Sequence, residues 1–142
     1  MFYPFYKSIK DRIASQVKDL KDTQWFNDQY SSIIHAEPIV FIEFPDIVNE
    51  QWISKETSRA AIPVTIHVVS KSMADNDASI SDAQVKDHDD LAVLVRDALK
   101  AYQLTYAGSS LGSKLQLTGY QAAHQYKGWL VVKLFFTTKQ TA

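Results

Sequence analysis

Few residues in this sequence have the types and spacing that chemistry needs, and each candidate is decided by its flanks. Gly108-Ser109-Ser110-Leu111-Gly112 matches G-x-S-x-G, the pattern that holds a nucleophilic serine on a sharp turn between a strand and a helix. Here the flanks are reversed, with a helical pattern before the motif and a strand pattern after it. His124 lies downstream, but no Asp or Glu follows Asp97 to complete a triad. The pentapeptide reads as a helix-to-strand loop. Asp75-Asn76-Asp77-Ala78-Ser79-Ile80 opens like a calcium loop, with oxygen ligands at alternate positions, yet Ile80 stands where such a loop needs glycine and Lys86 where it needs a bidentate glutamate. It reads as an acidic surface loop. His35, His67, His88 and His124 are scattered without the i, i+4 pair of a helical zinc site. With four glycines there is no phosphate-cradling loop, and without cysteine there is no disulfide or thiolate site. These readings assign no catalytic residue, no metal ligand and no cofactor.

The elements that would position any site are more legible. Phe5, Ile9, Ile13, Val17 and Leu20 are spaced by four, four, four and three with charges between them, which predicts a one-sided helix over 5–20. Trp25-Phe26-Asn27-Asp28-Gln29-Tyr30 reads as a short aromatic strand or a loop packed under the core. Pro38 and Pro45 bracket the strand Ile39 to Phe44. The strand Ala60 to Ser70 has Ile62, Val64, Ile66 and Val68 on one side and Ala61, Pro63, Thr65, His67 and Val69 on the other. Pro63 has no amide donor, so this strand is central in packing but not hydrogen-bonded along its full length. His67, off the apolar side, is expected in a solvent-side or hydrogen-bonded position.

Between these strands, Asp46 to Arg59 is polar except for Trp52 and Ile53. It reads as an extended arm in which Trp52, Ile53, Lys55 and Arg59 are candidates for a subunit interface; the alternative folds Trp52 back onto its own core. Lys71 to Lys86 is a polar loop, and a second helix opens at Asp87 or His88 with Leu91, Leu94, Val95, Ala98, Leu99 and Tyr102 on one face. There Asp87, Asp89 and Asp90 would sit where the helix dipole favours negative charge. A strand near 114–121, a turn around Tyr126-Lys127-Gly128 and a final strand 129–138 form a hairpin. The order α-β-β-β-α-β-β, counting the arm as a strand, predicts a two-layer α+β domain. A mostly antiparallel or mixed sheet is packed by two amphipathic helices, in a single domain 1–142 with the arm near 46–59 and the acidic loop near 71–87.

Composition limits the classes of function. A chain of 142 residues with 46% hydrophobic and 22% charged residues is expected to be one soluble globular domain without a membrane span. Met1 to Tyr6 lacks the features of a secretory signal and reads as part of the mature fold. The formal charge of −1 argues against an independent nucleic-acid binder. Charge is distributed unevenly. Lys71 to Asp90 holds Asp75, Asp77, Asp82, Asp87, Asp89 and Asp90 against two lysines, while after Asp97 there are only Lys100, Lys114, Lys127, Lys133 and Lys139. Such polarity suits a solvated face, or complementary charges meeting across a subunit contact.

The layout resembles the tail terminator (tail completion) proteins of tailed bacteriophages and prophages. The resemblance is carried by the opening helix, the Trp25 segment, Pro38-Ile-Val-Phe-Ile-Glu-Phe-Pro45 with its polar arm, Ala61-Ile-Pro-Val-Thr-Ile-His-Val68, the acidic loop leading into Leu91 to Lys100, and the closing hairpin. It implies a virion structural protein at the head-tail junction, made in the host bacterial cytoplasm and without enzymatic activity. It further implies a homo-oligomeric ring, commonly hexameric, that caps the tail tube protein and docks to the head connector protein while genomic DNA passes through the lumen. Two other readings are another neck or head-tail connector protein of the same architecture, and a small-molecule-binding or hydrolytic α+β domain using Tyr120 to Tyr126 with His124.

Overall fold

The computed structural model describes residues 1–29, 37–71, 79–123 and 128–141. In chain order the elements are α1 (Tyr3–Gln16), β1 (Asp22–Trp25), β2 (Ile39–Glu43), β3 (Glu50–Trp52), β4 (Ser58–Lys71), α2 (Asp82–Leu99), β5 (Thr105–Tyr106), β6 (Ser109–Ser110), β7 (Gln116–Ala123) and β8 (Trp129–Thr141). The expected α+β class is found. One sheet runs in the order β1-β2-β4-β8-β7, with β3 paired to β4 off that path, and β5 and β6 form a separate two-stranded hairpin. Among the described residues only the β1–β2 pair is parallel, so the sheet is mixed.

β4 is the long central strand, and its alternation fixes which residues face the helices. Ile62, Val64, Ile66 and Val68 join Val40 and Ile42 of β2 and Leu134 and Phe136 of β8 in the main core. Phe5, Ile9 and Ile13 of α1 and Leu91, Ala92, Val95, Ala98 and Leu99 of α2 pack onto that same face. Both helices therefore cover one side of the sheet. β8 pairs with β4 from Arg59 to Lys71, but on the other edge of β4 the ladder is interrupted. β3 pairs as far as Ala60 and β2 begins at Thr65, and the gap holds Pro63, as its missing donor requires.

Two ties hold the helices to each other and to the sheet's end. Arg12 of α1 donates from Nε to the Ala98 carbonyl at 2.8 Å, satisfying the C-terminal end of α2, and its guanidinium lies 4.4 Å from the Tyr102 ring. The buried Ser8 hydroxyl accepts from the Thr105 amide at 3.0 Å and fixes the small hairpin against α1.

α2 starts earlier than the apolar spacing indicates. Ser81 caps it, accepting from the Gln84 amide, and only Asp82 lies in the first turn. Ser81-Asp-Ala-Gln84 is the capping-box pattern S-x-x-Q, a local signal that outranks the first apolar residue. Residues 82–87 are therefore helix rather than loop, and Asp87, Asp89 and Asp90 lie beyond the first turn, where the dipole has little effect. Of the aromatic segment only Trp25 is in a strand, as the last residue of β1; Phe26 to Gln29 follow it outside regular structure, and Tyr30 lies outside the described residues. The last hairpin forms as expected, with β7 displaced two residues toward the C-terminus and a bulge at Thr118.

Candidate interaction surfaces

β3 and the start of β4 form an arm. Glu50, Gln51 and Trp52 pair with Ala60, Arg59 and Ser58, and the tip closes through Ile53 N–H to the Thr57 carbonyl (2.9 Å) and Thr57 N–H to the Ser54 hydroxyl (3.1 Å). Trp52 is 65% exposed and Ile53 55%, so the indole does not fold back onto its own core. Lys55 is exposed at the tip. Arg59 is exposed at the arm's base, where it lines a shallow concavity with Phe5, Ser110 and Lys139. Three of the four residues singled out in the sequence thus share the tip, and the fourth stands apart from it.

An aromatic band was not legible as a unit. Ring centroids link Phe2 to Phe44 (5.2 Å), Phe44 to Trp25 (5.2 Å), Trp25 to Tyr6 (5.5 Å), Tyr6 to Tyr3 (6.3 Å) and Tyr3 to Tyr106 (6.1 Å). Tyr3, Trp25 and Tyr106 remain substantially exposed, and Ile47 on the way to the arm is 74% exposed. The available signal was Tyr3, which falls off the Phe5, Ile9, Ile13 stripe of α1; Phe2 and Tyr6 border that stripe and pack against the main core as well as joining the band.

The sheet face opposite the helices has two unlike halves. Toward the end of β4, Ile39, Phe41, Val69, Ala123 and Val131 form a second buried cluster. His67 belongs to this half. It is 1% exposed, stacks on Phe26 at 4.3 Å, and has Nε2 2.6 Å from Glu43 Oε1. Burial holds its pKa below the usual imidazole value. The Glu43 carboxylate pulls the other way, through its hydrogen bond and its charge, and nearby Lys133 adds to the lowering. Desolvation wins because the ring is enclosed while Glu43 is partly in solvent, so the ring donates its N–H to Glu43 as a neutral imidazole. This is the hydrogen-bonded position that its place in the strand allowed. Toward the start of β4 the same face carries Ala61, Pro63 and Thr65, all exposed or half-buried, beside Thr137 and Lys139 of β8.

His88 is also buried. Its Nδ1 lies 2.9 Å from the Ser70 hydroxyl, and its Nε2 has no hydrogen-bond partner among the described residues. Burial lowers its pKa, and the Asp89 charge opposes this more weakly. The residue borders a cavity of about 440 Å³ between the end of α1 and the start of α2, lined also by Val17, Gln84, Leu91 and Leu94.

The motifs with catalytic or metal-like spacing resolve as follows. Ala107 and Gly108, both with positive φ, make the two-residue turn between β5 and β6, and Ser110 is exposed on β6. Gly112 has φ +56°, and a Cβ there would lie 2.6 Å from Thr138 Oγ1 and 2.9 Å from the Lys139 carbonyl. Both glycines of the pentapeptide are thus accounted for by a tight turn and a close crossing over β8. The Ser110 concavity contains no histidine or carboxylate among its lining residues. Asp75, Asp77, His35 and His124 lie outside the described residues, so the calcium-like loop and the His124 region have no structural account; Tyr120, nearby on β7, is exposed. Among the described residues no three His, Asp or Glu side chains group as a metal site. Among the described residues no helix is long and apolar enough to cross a membrane.

Comparison with known proteins gives a likeness of fold. No protein-family model and no curated protein matches the sequence. The structure is similar to a chain from the virion of a native gene transfer agent particle, with a TM-score of 0.64 over 96% of this chain and 94% of that chain, at 14% sequence identity. The two chains share an architecture from end to end.

Proposed function

We propose that this protein is a structural component of a phage-type virion, without enzymatic activity of its own, and that it acts as a tail terminator. In this reading copies of the chain form a ring, most simply a hexamer, at the head-tail junction. The ring caps the tail tube, contacts the head connector and leaves a lumen for genomic DNA. The observation that supports this best is the nearly full-length likeness to a chain of a gene transfer agent virion. The exposed arm agrees with it. A paired hairpin tip holding Trp52 and Ile53 in solvent is stable as a contact only when a neighbour covers it. Contacts of that heterologous kind close into rings when the rotation permits.

Light scattering on the purified chain tests the assembly. A mass that is a small multiple of 16.1 kDa is expected, falling toward the monomer in Trp52→Ala. An unchanged mass removes Trp52 and Ile53 from the contact, and a monomer at every concentration in the wild-type chain removes self-assembly. Electron microscopy of particles made without the protein tests the position: tails without a defined head-proximal end are expected, and normal joined particles would refute it.

A further inference from the structure

Trp52 and the cavity beside His88 lie at opposite ends of β4. The arm pairs Trp52 with Ser58 at the strand's start, whereas Ser70 and Lys71 at its end help to line the cavity. Ser58 and Ser70 are twelve residues apart on one continuous strand, roughly 40 Å at the usual rise. A copy therefore cannot seat its own indole in its own cavity. The cavity suits an apolar guest. Val17 at the end of α1, Pro38 before β2, Leu91 and Leu94 of α2 and Leu130 of β8 supply apolar walls around its volume of about 440 Å³. That volume is in the range of a pocket for one compact ligand group. Val17 and Leu91 are buried, but Leu94, one helical turn from Leu91, is 53% exposed. Leu94 is the part of the wall left for a guest to cover.

We infer that this cavity is the receiving site for an aromatic anchor, Trp52 of a second copy, and that the indole covers Leu94. The inference rests on the reading of the arm as a subunit contact, and adds where on the next copy the arm ends. The guest matches the site in three respects. Its indole is a rigid apolar body that buries roughly 150–250 Å². Its polar group is a single N–H donor, and the lining offers oxygen acceptors in Asp87 and Gln84. Both surfaces carry both signs of charge: Asp19 and Asp87 with Lys18 and Lys71 around the cavity, where Asp90 is held by Lys86, and Lys55 with Glu56 at the tip. Pairing Lys55 with the aspartates sets the orientation of the arm. A plug at one end and a socket at the other make a head-to-tail contact, the type that repeats until it closes. The indole and Ile53 anchor that contact without supplying all of it, since a stable specific interface buries about 1,200–2,000 Å².

The test measures the mass of the full chain and its variants by light scattering and sedimentation velocity. Leu94→Glu puts a charge in the socket at an exposed position, and Trp52→Ala removes the plug; each alone should fall to the monomer mass of 16.1 kDa. Val85→Glu makes the same charge change at a 50% exposed position of α2 outside the cavity, and should keep the wild-type mass. Thermal melts check that each variant folds, and Leu94→Ser replaces Leu94→Glu if the glutamate unfolds α2. The two monomeric variants are then mixed. The Leu94→Glu copy still has a plug and the Trp52→Ala copy still has a socket, so the mixture should form a dimer and nothing larger. Wild-type mass in Leu94→Glu, a mixture that stays monomeric, or a mixture that regains the full wild-type mass overturns the inference and leaves the ring standing. Wild-type assemblies that remain open chains, with the variants behaving as expected, uphold the inference while the ring reading fails. A wild-type monomer at every concentration ends both.

Discussion

The two faces of one sheet are built from alternate residues of the same strands, yet they have opposite properties. On the helix side every position of β4 from Ile62 to Val68 meets α1, α2 or a neighbouring strand's apolar side chain. On the other side, Ala61, Pro63 and Thr65 are left to solvent, and only His67 and Val69 near the strand's far end are enclosed. The first face holds the fold together. The second, with the arm at its edge, is available for contacts that this chain does not make with itself. Stability and interaction are thus separated by a period of two residues, and a substitution at one position says little about its immediate neighbour.

That separation can be attacked in order of expected effect. Phe136→Ala, fully buried in the main core on the helix side, should cost about 3–5 kcal/mol in denaturant unfolding because of the cavity it leaves there. A loss under about 1 kcal/mol would mean that the helix face is not the principal core. Gly112→Ala should cost somewhat less, roughly 1–3 kcal/mol, from a left-handed backbone and a Cβ forced against Thr138 and the Lys139 carbonyl. Gly108→Ala meets no such neighbour and should cost less, so the difference between them measures the crossing over β8. Acid should follow. His67 and His88 both have folded pKa values below that of the unfolded chain, so the unfolded state binds more protons as pH falls. Their contribution is intact above the ordinary imidazole value near 6.5 and is lost as pH drops through the window between that value and the lowered one. His67→Gln should flatten part of that decline, and an unchanged pH profile would mean that the second cluster does not exclude water from the ring. The smallest effect is expected at Trp52→Ala, within about 0.5 kcal/mol of wild-type stability, because the exposed indole buries little surface within the chain.

The legible parts of this protein were those with a period. α1, β2, β4 and the core side of α2 could be read because their apolar residues recur at helical or strand spacing, and the Trp52 arm because an apolar pair stood in polar surroundings. The start of α2 was misplaced because a capping serine, not an apolar residue, begins the helix. The β5–β6 hairpin escaped notice because two-residue strands have no period to detect. The aromatic band joins residues from α1, β1, the end of β2 and β5, which no local window contains.

By itself the sequence determined the class of fold, the residues of the main core and the lopsided order of charge along the chain, because each follows from local spacing. Only the tertiary structure decided that Lys133 and Lys139 of β8 and the α2 aspartates stand in different layers, since strand pairing, and not order along the chain, places them. It also decided the state of His67. Alternation placed that ring off the core side, but Phe26 and Glu43, brought to it by neighbouring strands, are what make its burial as a neutral group possible.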